Sequence, residues 1–166
     1  ATPRYDDAAD GTYRGAFRPA ELAEALALLD RDVAAWAGGV LPTLLGETTP
    51  RATVLALATQ LRGMRPDIAR DTARAIFGTD VRTLLGAIDC PTLVLHADGD
   101  PTEPDHVRRW LTDALPHATH RVIQGAGHLP HVTHAEAVAA ALDAFIDTVS
   151  SSVGHAAAPP TAPPAD

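Results

Sequence analysis

Residues 90–131 read as strand, helix, strand, and that order leaves few folds open to the chain. Leu93, Val94 and Leu95 form a short all-apolar run, opened by Pro91 and closed by the turn-forming Asp98-Gly99-Asp100-Pro101. Such a run has the pattern of a strand buried on both faces. A helix is predicted over 104–115, where Val107, Trp110, Leu111 and Leu115 share one apolar stripe. Val122 and Ile123 make a second short buried strand, ended by Gly125-Ala126-Gly127-His128. Two strands joined by a helix of this length lie parallel, with a right-handed crossover. In parallel sheets reactive groups collect beyond the carboxyl ends of the strands. Asp100 and His128 both occupy such ends, each in a loop containing glycine.

An acid followed along the chain by a histidine, both at strand ends, is the order of the second half of an α/β-hydrolase. A buried carboxylate holds an imidazole in one tautomer and stabilises the imidazolium that forms when the imidazole takes a proton from a nucleophile. Asp100 is therefore the candidate acid and His128 the candidate base. Each also has a plainer reading, since an Asp after a strand is the common turn former or helix cap. Their joint order and placement point to catalysis.

Helices dominate the chain before residue 90. The first has Pro19 in its first turn and Leu22, Leu26 and Leu29 on one face. Asp32 can cap a second, carrying Val33, Trp36, Val40 and Leu44, which Gly38-Gly39 should weaken or bend. A third carries Val54, Leu57, Ala58, Leu61 and Met64. Arg65-Pro66-Asp67 breaks it and starts a fourth, with Ile68, Thr72, Ala75 and Ile76, stopping at Gly78. Asp80 can cap a short helix reaching Leu85. After the second strand, Thr133 and Glu136 have capping-box spacing and open a long helix with Val138, Leu142, Phe145, Ile146 and Val149 on one face. From Ser150 the sequence turns small and proline-rich, as in a flexible tail.

Two parallel strands do not make a stable sheet, because their edges and faces need cover. The chain therefore reads as the second half of a larger α/β domain, cut just before an inserted helical lid. With the acid–histidine order it resembles the C-terminal portion of an α/β-hydrolase fold, which implies a helical lid and the last two parallel strands with their flanking helices, the first half of the sheet being absent. The divisions expected are 1–88 as entry loop and four-helix lid, 89–149 as the C-terminal part of the α/β core, and 150–166 as an Ala/Pro-rich tail.

Composition narrows the function. The chain is 46% hydrophobic and 20% charged, which fits a globular body. Its formal net charge is −8 and it has no basic stripe, so nucleic acid is not an expected partner. No apolar run approaches the roughly 20 residues of a membrane span, and no signal-peptide pattern opens the chain. The single cysteine, Cys90, is expected as a buried spectator and fits a reducing, cytoplasmic setting. His128, His131 and His134 recur every three residues. Pro130 interrupts them, so they do not share a helix face, and no metal or other cofactor is expected. Arg108-Arg109, the charges Arg65, Asp67, Arg70, Asp71 and Arg74, and Glu103 all read as surface residues.

Several stretches together resemble one family: YRGAF, AWAGG, RGMRPDIARDTARAIFGTDVR, CPTLVLHADGDPTEP and GAGHLPH. They look like the lid and C-terminal half of the RsbQ-type α/β-hydrolases, which include the bacterial stress-response regulator RsbQ and the plant strigolactone and karrikin receptors. The resemblance implies that Asp100 is the triad acid and His128 the triad base. It places Trp36 and Phe77 among aromatic lid residues lining a pocket, and Leu129 at the pocket floor. Ordinary packing within the lid would account for Trp36 and Phe77 equally well. Val40 stands where plant relatives carry a phenylalanine, which would reshape the pocket.

The nucleophile departs from the pattern. The sequence has no G-x-S-x-G, and its serines are Ser150, Ser151 and Ser152, all after the histidine. Without a nucleophile and oxyanion donors, efficient acyl transfer is not available to the chain as given. Two functions are expected. One is a fragment of a lidded serine hydrolase acting on a small apolar ester or lactone. The other is a non-enzymatic sensor in stress signalling that works through a protein partner of phosphatase type.

Overall fold

In the computed structural model the described residues are 2–46 and 49–156. Four helices come first: α1 (Pro19–Arg31), α2 (Val33–Leu45), α3 (Arg51–Arg62) and α4 (Pro66–Phe77). Asp32 caps α2 as its sequence implies, accepting from the Ala35 amide at 2.9 Å. α2 runs unbroken through Gly38, Gly39 and Pro42. α1 packs on α2 and α4, and α2 on α3. Leu41, Leu45 and Ala58 form the buried seam of α2 and α3. The charges on α4 stay at the surface and form exposed pairs there. Arg74 pairs with Asp30 at 2.7 Å, and Arg70 donates to the Asp30 carbonyl at 2.8 Å, tying α4 to the end of α1.

A 3-10 turn (Arg82–Ala87) leads into β1 (Thr92–Ala97), α5 (Asp105–Ala114) and β2 (Ala118–Ile123). The strands are parallel, in register from Thr92 opposite Ala118 to Ala97 opposite Ile123. Val94 packs with Leu85, Leu111 and Leu115 under α5. Leu95 and Ala97 point to the other face, where Ile123 and Ala126 meet Val138 and Ala141. Among the described residues no further strand joins this sheet. After the short α6 (Pro130–Thr133), α7 (Ala135–Ala156) lies along the face carrying Ala97 and Ile123.

Several expectations need correction. Both strands are longer than their apolar runs. β2 is not buried on both faces, because Arg121 and Val122 are exposed. Cys90 is exposed, lying in the connection between the 3-10 turn and β1. Thr133 ends α6, and its hydroxyl donates to the Leu129 carbonyl. Arg108 reaches back along β1 to donate to the Ala97 carbonyl at 2.8 Å, and only Arg109 faces solvent. α7 continues past Val149 to Ala156, and the rest of the 150–166 tail lies outside the described residues.

Candidate functional site

The loops that follow β1 and β2 are bonded to each other before either side chain is considered. Asp98 accepts from the Gly125 amide at 2.7 Å, and the Gly99 amide donates to the Ala126 carbonyl at 3.0 Å. Gly125 sits at φ +74°, a conformation that glycine adopts without steric penalty. This cross-bonding brings Asp100 and His128 together. His128 Nδ1 lies 2.9 Å from Asp100 Oδ2.

Asp100 is buried, with its side chain 4% exposed, while the His128 ring is 30% exposed. Thr102 holds the acid from behind. Its amide and its hydroxyl each donate to Asp100 Oδ1 at 2.8 Å. Burial pushes the Asp100 carboxyl up, but the bonds from His128 and Thr102 outweigh it and hold the group below its ordinary value. The ionised carboxylate can only accept, so His128 Nδ1 carries the proton and donates it. The Thr102 hydroxyl spends its proton on Asp100 and turns a lone pair toward Nδ1, 3.1 Å away. Nε2 is thereby left as the basic nitrogen.

His128 opens onto a cavity of about 770 Å³ between the four helices and the strand-end loops. Trp36, Val40 and Phe77 line it, together with Leu29, Met64, Ile76 and Thr102. Phe77 is held edge-on to Tyr5, with ring centroids 5.0 Å apart. Leu129 is elsewhere. It packs against the Leu41, Leu45 and Ala58 cluster rather than lining the cavity, because α2 passes directly over the histidine loop. A second cavity of about 250 Å³ meets the first at His128 and Tyr5, and is walled by Asp100, Glu103, His131 and Val138.

Sequence reasoning missed three of these neighbours. Thr102 lies two residues after the acid, the spacing of an Asx turn, and this was a readable signal. Glu103 was expected at the surface but is buried, accepting from His96 Nδ1 at 2.7 Å. Burial pushes Glu103 up, and the His96 bond helps to hold it below its ordinary value. His96 closes an otherwise apolar strand run, and a polar residue in that position was the available clue. Tyr5 comes from a polar leading segment whose sequence carries no comparable sign. Burial raises its hydroxyl above the ordinary range, with the Glu103 and Asp100 carboxylates adding to the shift. Among the described residues no cluster of three or more His, Cys, Asp or Glu side chains is placed to hold a metal, and no helix is long and apolar enough to cross a membrane.

Residues 2–141 match the alpha/beta hydrolase family. The chain belongs to that family. It is 29% identical over 135 residues to strigolactone esterase RMS3 of Pisum sativum, an alignment covering 80% of this chain and 49% of the relative. It is 28% identical over 137 residues to karrikin insensitive 2 receptor IA of Petunia hybrida, covering 82% and 49%. In structure it resembles a hydrolase from Oleispira antarctica with a TM-score of 0.81 and 26% identity, covering 88% of this chain and 53% of that one. The chain thus spans about half the length of the relatives it matches. That span, with its helical layer and two parallel strands, is the C-terminal portion of the α/β-hydrolase fold.

Proposed function

We propose that the chain supplies the acid, the base and the substrate pocket of a lidded serine hydrolase acting on a small apolar ester or lactone. The observation that carries this reading is the His128–Asp100 bond of 2.9 Å, placed at the mouth of a mainly apolar cavity. A cavity of a few hundred cubic ångströms with few polar groups suits a drug-sized apolar ligand. α1 to α4 act as the lid, excluding water and setting the shape of the pocket. A serine on a strand-to-helix elbow, together with the oxyanion donors, comes from a segment outside these 166 residues. Its Oγ–H passes a proton to His128 Nε2 as the oxygen attacks the acyl carbon. Asp100 stabilises the resulting imidazolium. Nε2–H then protonates the leaving alkoxide. The smaller cavity beside His128 and His131 is where that elbow would seat.

The test is complementation. The chain is joined to an upstream α/β half carrying G-x-S-x-G, and hydrolysis of p-nitrophenyl acetate is followed. Asp100→Asn should lower kcat by about 10⁴-fold, because it strands the imidazole in the wrong tautomer. Activity unchanged by Asp100→Asn and by His128→Ala would refute the assignment.

A second reading makes the chain a sensor in stress signalling, of the RsbQ type, whose lid binds a phosphatase-type protein. It draws on the exposure of Leu55 on α3 and Ile68 on α4, both outside the cavity wall. It predicts that Ile68→Asp abolishes partner capture and leaves ligand binding intact.

A further inference from the structure

We propose that the last turn of α2 is a seat that positions His128, so that the cavity wall and the imidazole are held by one helix. This deepens the function proposed above and rests on it. Three contacts converge on the seat. The His128 amide donates to the Leu44 carbonyl at 2.7 Å, the short end of the range for an amide donor. That carbonyl is among the last four of α2, which have no partner within the helix. Gly127 lies against the same turn. A Cβ there would sit 2.3 Å from the Leu44 oxygen and 2.5 Å from the Leu45 carbonyl atoms, so only glycine lets the two backbones approach. On the other side of His128, Leu129 is packed into the α2–α3 seam.

The histidine is thus held twice. Its ring is fixed by Asp100, and its backbone by α2 through residues 127, 128 and 129. The same helix presents Trp36 and Val40 to the cavity. A shift of its last turn by about 1 Å would carry Nδ1 out of hydrogen-bond range of Asp100. The Leu44 carbonyl and Gly127 are positioning groups. They meet the backbone of the histidine loop and take no part in proton transfer.

The chain joined to the upstream α/β half used for complementation is enriched in ¹⁵N, and two signals are read at His128: imidazole nitrogen shifts, which report the tautomer, and amide hydrogen exchange. Gly127→Ala forces a methyl group into the contact. Gly46→Ala acts from a distance. Gly46 ends α2 at φ +84° and has nothing within 4 Å of an added Cβ, so its strain reaches His128 only through the seat. In both variants the Nδ1–H tautomer should give way to a mixture, and exchange of the His128 amide should rise roughly tenfold. His106, bonded to the Gly15 carbonyl at 2.8 Å, should keep its signature. If Gly127→Ala does not fold, Gly46→Ala decides alone. A Gly46→Ala chain with an unchanged His128 tautomer and unchanged exchange overturns the seat, while a wild-type Nδ1–H tautomer leaves the catalytic pair standing. A wild-type His128 lacking that tautomer overturns both.

Discussion

Asp100 carries three bonds on two oxygens, and its ionised state depends on them. Its folded-state value lies below the ordinary one. The unfolded chain therefore binds the proton more tightly, and the stability Asp100 contributes is fully present above about pH 4. That contribution is lost as pH falls through the lower folded value. Thermal melts of wild type and Asp100→Asn from pH 7 down to pH 3 should show it. The variant should begin less stable and lose less on acidification, and equal slopes would contradict the assignment. Thr102→Val removes one donor while keeping the shape. It should return the Asp100 carboxyl toward its ordinary value, read as a carboxyl ¹³C titration. The pairing of Asp100 with His128 was legible because chain order and strand ends are written in local patterns. The His96–Glu103 bond was not. Seven residues separate the partners, and only the turn of the intervening loop brings Glu103 back under β1.

At the level of elements, apolar spacing located α1 to α4, β1, α5, β2 and α7, while their ends followed tertiary contacts. β1 gained Thr92 and His96 because its register with β2 continues there. Leu129 was misplaced for a related reason. Its neighbours, Leu41 and Leu45, are distant in sequence, and no local pattern shows α2 crossing the histidine loop. α2 should accordingly be the sensitive element of the helical layer. Leu45, 1% exposed, is buried at its end. Leu45→Ala should cost about 3 kcal/mol, measured by urea unfolding, and should also broaden the His128 signals. Leu55→Ala on the exposed face of α3 should stay within about 0.5 kcal/mol of wild type.

Among the described residues, a layer of four helices is paired with a sheet of two strands. α7, at 22 residues, is about 33 Å long, while each six-residue strand spans about 20 Å. The helix overshoots what it covers, and Leu142 and Ile146 stand 43% and 55% exposed. With an open strand edge beside them, these residues should make the chain associate with itself or with the α/β half it lacks. Sedimentation should show concentration-dependent association that Ile146→Lys weakens. The most direct test of the central claim is to label the native-source protein with a fluorophosphonate and map the modified peptide. The account predicts a labelled serine within G-x-S-x-G, on a polypeptide or tight complex that contains Asp100 and His128, with labelling lost in His128→Ala. A native protein that contains both residues and takes up no label would contradict it.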